Sequence, residues 1–137
     1  MSNNSESTLS IIKPDAVERD LVEEIKNIFI SKEFKILKEK KIKISKQEAE
    51  QFYIVHQSKP FYSDLCDYLS SGPIFVMVLS KENAVIDNRA LMGATDPLKA
   101  EKGTLRNIYG ISIDKNSVHG SDSLENASIE IDFFFKD

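Results

Sequence analysis

The chain has 137 residues, 41% of them hydrophobic and 29% charged, with a formal net charge of −4. That length suits one domain burying its own core, so a single unit spanning residues 1–137 is expected, and the balanced composition argues against disorder. One cysteine, Cys66, excludes an intrachain disulfide and a multi-cysteine zinc site.

The longest apolar run, Ile74 to Leu79, is six residues, against the roughly 20 needed to span a bilayer. The polar stretch from Met1 to Ser7 carries no basic residue, so no secretory signal is read and a cytoplasmic location is expected. Acidic balance makes nucleic acid an unfavoured partner. Fifteen of the 18 basic residues are lysines; the arginines are Arg19, Arg89 and Arg106. In such a chain an arginine is a mild pointer to a site needing a planar five-donor fork, although chance explains it as readily.

Thr8 to Lys13 reads as a short strand halted at Pro14-Asp15. Leu21, Val22, Ile25, Ile28 and Phe29 recur at helical spacing and predict a helix from about Glu18 to Ser31. Phe34 to Ile44 alternates as a strand, and its seven neighbouring lysines between Lys32 and Lys46 read as a solvated face. Ser45 and Glu48 form a capping box opening a helix with Ala49, Phe52, Tyr53 and His56 on one face. Pro60 starts a second helix bearing Phe61, Leu65, Tyr68 and Leu69, closed by Gly72-Pro73.

Ile74 to Leu79 is continuously apolar, as a strand buried on both faces would be. Ser80 is read as the cap of a helix ending at Met92-Gly93. Residues 94–115 have no sustained period and read as a long loop, a length that signals function. A minimal strand over Asn116 to Gly120 and a last helix capped by Asp122 complete the chain. Without the helical pair, two βαβ-like halves remain, which predicts a ferredoxin-like split βαβ sandwich, α/β (α+β) in class, with a four-stranded antiparallel sheet.

Of the two histidines, His56 is explained by its helix face. His119 ends a strand beside Gly120, just before a helix, where an imidazole can act as a nucleophile toward phosphorus or simply close the strand. Neither Ser121-Asp122 as part of a hydrolase triad nor His56, His119 and Cys66 as a metal site has supporting spacing. No Walker A and no Gly-x-Gly-x-x-Gly occur, so a phosphate has to be held by scattered side chains. Lys13, Arg89, Thr95, Arg106 and Asn116 are the candidates, and Lys13 at a buried strand end would be costly without an anion.

The segment Asn116-Ser117-Val118-His119-Gly120-Ser121-Asp122 resembles the active-site signature Asn-x-x-His-Gly/Ala-Ser-Asp of the nucleoside diphosphate kinases. Thr8 to Val17 is similar to that family's opening strand with its phosphate-contacting lysine. Tyr53, Lys59-Pro60-Phe61, Ser71-Gly72-Pro73, Asn88-Arg89, Met92 to Pro97 and Gly103 to Arg106 follow in the family's order. The match spans about Thr8 to Phe135. Departures at Asp20, Glu23, Lys102 and Asn107 remove no catalytic group.

The resemblance implies a phosphotransferase moving the γ-phosphoryl of a nucleoside triphosphate to a nucleoside diphosphate in a ping-pong cycle. His119 would be the pros-phosphohistidine nucleophile, Glu130 would hold its second ring nitrogen with Ser121 as partner, and Tyr53 would sit nearby. Lys13, Arg89, Thr95 and Arg106 would cage the phosphates, with Mg²⁺ carried on those phosphates and no metal site of the protein's own. Lys13 and Asn116 would bond the ribose, and Phe61 and Ile113 would enclose the base, whether of ATP, GTP, ADP, GDP or the deoxy forms. Arg19 precedes the first helix and matches no ligand position. The resemblance also implies a homo-oligomer, a hexamer in preference to a tetramer. A regulatory nucleic-acid module would need a basic face, and a phosphohistidine relay would not require a base slot.

Overall fold

The computed structural model describes residues 5–112 and 115–135. Four strands, β1 (Ser5–Ile12), β2 (Lys35–Ile42), β3 (Ile74–Glu82) and β4 (Val118–Gly120), form one sheet in the order β2-β3-β1-β4. Every neighbouring pair is antiparallel, with Ile11 opposite both Val76 and His119. The expected split βαβ sandwich is therefore present. Its sheet is covered on both sides because alternate residues of the central strands are apolar in both directions. Ile12, Met77 and Leu79 pack with Ile25 and Phe29 of one helical layer. Leu9, Ile11, Ile74 and Val76 pack with Ala49, Leu69 and Phe134 of the other.

The helices are α1 (Pro14–Glu18), α2 (Val22–Ser31), α3 (Lys46–Phe52), α4 (Tyr62–Leu69), α5 (Ala84–Met92), α6 (Leu105–Tyr109) and α7 (Leu124–Phe135). The capping box at Ser45 forms as expected, its hydroxyl accepting from the Glu48 amide at 3.1 Å. Four expectations change. The helix expected from about Glu18 starts only at Val22: an unexpected short helix, Pro14–Glu18, precedes it, and Asp20, left-handed at φ 61°, separates the two. Ser80 is not a cap: β3 runs on to Glu82 by pairing with Ser5 to Ser7, and α5 starts after left-handed Asn83. The segment 94–115 holds α6, opened by Thr104, whose hydroxyl accepts from the Asn107 amide at 3.3 Å. Ser123, rather than Asp122, caps α7, accepting the Asn126 amide at 3.0 Å.

The family departure at Asn107 finds a role in that segment, donating to the Ala100 carbonyl at 3.3 Å and accepting the Gly103 amide at 3.4 Å. It ties the Lys102-Gly103 turn to α6. Among the described residues no helix is long and apolar enough to cross a membrane.

Candidate active site

Strand β4 is short, and its central residue His119 lies where β4 leaves the sheet for α7. From α7, Glu130 brings its carboxylate to the ring, with Oε1 3.1 Å from His119 Nε2. The same oxygen accepts the Ser121 hydroxyl at 2.7 Å, and that hydroxyl in turn accepts the Leu9 amide at 3.3 Å. A carboxylate can only accept, so the proton between Glu130 and the ring belongs to Nε2 and the lone pair to Nδ1. The far end of this chain is anchored in β1, since Ser121 is fully buried.

Two rings fix the imidazole sideways. Phe52 meets it edge-on with centroids 5.4 Å apart, and Tyr53 does so at 6.3 Å. Burial, and then the Glu130 charge, push the Tyr53 phenol well above its ordinary range, so it stays a neutral hydroxyl. A cavity of about 170 Å³ opens here, lined by residues 51–56, His119, Gly120, Glu130 and Phe133 among others. His56 is thus not a plain helix-face residue. It sits in a 3-10 turn after α3, lines the cavity, and buries an Nδ1 with no hydrogen-bond partner among the described residues.

Positive charge gathers beside the histidine. Arg106, on α6, donates from its terminal nitrogens to the carbonyls of Gly93 and Val118, both at 3.0 Å. These acceptors are dipoles and leave its charge uncompensated; among the described residues no carboxylate pairs with it. Burial, and then the neighbouring Arg89, pull the Arg106 value down, and its Nε is buried without a partner. Arg89 is exposed but close enough for its charge to act on Arg106, and with the unsatisfied Arg106 Nε this makes the spot favourable for an anion. Gly93 makes the arrangement possible: it holds φ at 83°, and a Cβ there would come within 2.5 Å of Thr104 Oγ1.

Lys13, the residue after β1, is only 6% exposed and donates from Nζ to Asn116 Oδ1 at 2.9 Å. Asn116 passes the connection on, donating from Nδ2 to the Thr95 carbonyl at 3.1 Å. Phe61 stands apart at the start of α4, half exposed, and His56 bridges it to Tyr53 with ring centroids 6.3 and 6.1 Å away. Its own hollow, of about 220 Å³, is shared with Leu65, Tyr68 and Lys115. Ile113 lies outside the described residues.

The structure therefore brings His119, Glu130, Ser121 and Tyr53 into one cluster, links Lys13, Asn116 and Thr95 in another, and sets Arg106 and Arg89 close together. Phe52 was missed as a site residue, because helical spacing alone assigns it to the core. Asn88 was missed likewise: it is fully buried behind β4, and its Nδ2 would be 2.4 Å from a Cβ on Gly120. Arg19 needs correction. It is not isolated before a helix but closes α1 and bonds to Asp15, Tyr109 and Ser117.

A half-buried imidazole held by a carboxylate, with cationic side chains nearby that no carboxylate among the described residues pairs, is an arrangement chemically suited to handling a phosphoryl group on a ferredoxin-like sheet. Comparison with known proteins gives the family. A family model described as Nucleoside diphosphate kinase matches residues 6–137. The nucleoside diphosphate kinase of Wolinella succinogenes is 57% identical over 130 residues, covering 95% of each chain. That of Campylobacter jejuni serotype O:6 is 55% identical over 131 residues, covering 96% of each. The crystal structure of the Aquifex aeolicus nucleoside diphosphate kinase superposes with a TM-score of 0.94 at 38% identity, covering 96% of both chains. The chain belongs to the nucleoside diphosphate kinase family.

Proposed function

We propose that this chain, a nucleotide-binding kinase by its family, passes the γ-phosphoryl of a nucleoside triphosphate to a diphosphate through a phosphohistidine on His119 Nδ1. The observation that carries the reading is the Ser121–Glu130–His119 chain, which leaves Nδ1 with the lone pair. In the first half-reaction Nδ1 attacks the γ-phosphorus, the N–P bond forms, and the bond to the β–γ bridging oxygen breaks. The diphosphate leaves while Nε2 keeps its proton, donated in a hydrogen bond to Glu130. In the second half a terminal phosphate oxygen of the incoming diphosphate attacks the same phosphorus, and Nδ1 regains its lone pair. Catalysis of this kind is mostly positioning and charge neutralisation. Arg106, Arg89, Lys13 and Thr95 supply these for the phosphates, Tyr53 supplies a neutral hydroxyl beside the ring, and Lys13 and Asn116 hold the ribose. Phe61 stacks on the base, with Ile113 proposed for its other face.

Among the described residues no group of three or more His, Cys, Asp or Glu side chains could hold a metal. The cationic side chains suit the nucleotide's phosphates, and we propose that a divalent cation, Mg²⁺, is carried on those phosphates. Bound there, it would supply charge neutralisation to the phosphate oxygens. We further propose that residues 1–137 work as one catalytic unit in the cytoplasm, assembled as a homo-oligomer and as a hexamer in preference to a tetramer.

The test is to incubate the enzyme with γ-labelled ATP, remove free nucleotide, and add GDP. Wild type should carry an acid-labile, alkali-stable label and release it as GTP, and His119→Ala should do neither while remaining folded. Alkali-labile label would move the nucleophile to Ser121, and turnover by His119→Ala within about tenfold of wild type would end the histidine assignment.

A further inference from the structure

Ser117 is fully buried and holds φ at 76°, a left-handed conformation that a residue with a side chain keeps only when its surroundings impose it. The bonds around it come from Lys13, Asp15, Arg19 and Tyr109. The Ser117 carbonyl accepts the Lys13 amide at 2.8 Å. Its hydroxyl lies 2.8 Å from Asp15 Oδ2, 3.0 Å from the Tyr109 carbonyl and 3.1 Å from Arg19 Nη2. Arg19 Nη2 also donates to the Tyr109 carbonyl and pairs with Asp15 Oδ2 at 3.2 Å, and Nε donates to the Asp15 carbonyl at 3.1 Å. Tyr68 completes the set, donating its hydroxyl to Asp15 Oδ1 and accepting the Asp15 amide at 2.9 Å. The next residue back is Asn116, whose side chain meets Lys13 Nζ at 2.9 Å.

We infer that Asp15 and Arg19 form a positioning clamp which, through Ser117, fixes Asn116 beside Lys13 and so presets the ribose-binding end of the site. The inference rests on the proposed contact of Lys13 and Asn116 with the ribose. Neither Asp15 nor Arg19 carries out chemistry. Arg19 instead converts the planar geometry of its guanidinium into a fixed backbone, reaching α1, the end of α6 and the turn before β4 from one side chain. A lysine's one nitrogen could replace Nη2 but not also the Nε–H that reaches the Asp15 carbonyl, so it loses the fixed two-point hold.

The experiment is a double-mutant cycle between Arg19→Met and Asn116→Ala, read by steady-state kinetics with GDP and by the amount of phosphohistidine formed per chain. Arg19→Met is expected to raise the KM for GDP about tenfold with kcat within about threefold and full phosphohistidine yield. In the Asn116→Ala background the same change should raise KM no more than about twofold further, since the clamp then has nothing to position. Arg19→Lys should behave like Arg19→Met. A merely structural role would lower the phosphohistidine yield in step with the folded fraction and leave KM alone, which would overturn the clamp. So would a full tenfold KM effect in both backgrounds. If Arg19→Met does not fold, Ser117→Ala replaces it in the same cycle with the same expected coupling. Loss of phosphohistidine in wild type would strike the histidine chemistry, and unchanged KM in Asn116→Ala alone would strike the ribose contact. These results are separate from failure of the Arg19 coupling.

Discussion

Glu130→Gln tests the central hydrogen-bond chain with the smallest change of shape. In wild type one carboxylate oxygen serves both His119 Nε2 at 3.1 Å and Ser121 at 2.7 Å, with the Glu130 side chain only 18% exposed. As Nδ1 spends its lone pair on phosphorus, positive charge develops on the ring, and the carboxylate stabilises it across the Nε2–H bond. Glutamine retains an acceptor of the same size but no charge. Bonds to charged partners are worth about 1.5–3 kcal/mol against about 0.5–1.5 for neutral ones, so about 1–1.5 kcal/mol is lost. That corresponds to phosphorylation slower by about tenfold. If the amide turns its NH₂ toward Nε2, the ring proton moves to Nδ1 and the loss is greater still. Glu130→Ala goes further, depriving the fully buried Ser121 hydroxyl of its acceptor, and should cost about 3 kcal/mol with a lower Tm. Rapid-quench measurement of label transfer from ATP, under single-turnover conditions, isolates the step. A Glu130→Gln enzyme phosphorylated within twofold of the wild-type rate would refute the argument, as would a loss confined to KM.

Arg106→Met and Arg89→Met should each lose about 2–4 kcal/mol of transition-state stabilisation, measured as kcat/KM. Only Arg106→Met should also lower Tm, because Arg106 alone is bonded to the Gly93 and Val118 carbonyls; equal Tm changes would contradict that placement. Phe61→Ala should raise KM for every nucleotide together, since a half-exposed ring offers a stacking face and no edge-reading group. In the wild type, ATP, GTP, CTP and UTP should then differ in kcat/KM by no more than about 10², and a preference beyond about 10⁴ would require a base-edge contact.

Much of the fold was legible because it is written in local pattern. The unbroken apolarity of Ile74 to Leu79 announces a strand covered on both faces, and Ser45 with Glu48 announces a helix start. What was misread depends on partners far away or on elements too short to have a period. Nothing near Ser80 indicates that β3 continues, since the reason is pairing with Ser5 to Ser7 at the other end of the chain. Helix α6 is five residues long, below the length at which apolar spacing is diagnostic. The break at Asp20 leaves no trace in the apolar periodicity, which describes faces and not the backbone angle that interrupts them.

The candidate site divides along the same line, and the division has a physical cause. His119, Ser121 and Glu130 stand within 11 residues of one another, on β4, in the turn after it and in the middle of α7, so a motif holding the first two lies close in sequence to the third. Arg19 meets Tyr109 and Ser117 across 90 and 98 residues, and no spacing in its own neighbourhood reports that meeting. Reactive groups can be local because the chemistry involves one imidazole and what touches it. The groups that hold a binding site open must instead join separate elements, and in this chain they join α1, α6 and the turn before β4 through a single guanidinium. Arg19 and Arg106 use their guanidiniums in different ways. Arg106 leaves its charge uncompensated beside the histidine, whereas Arg19 pairs its charge with buried Asp15 and contributes geometry.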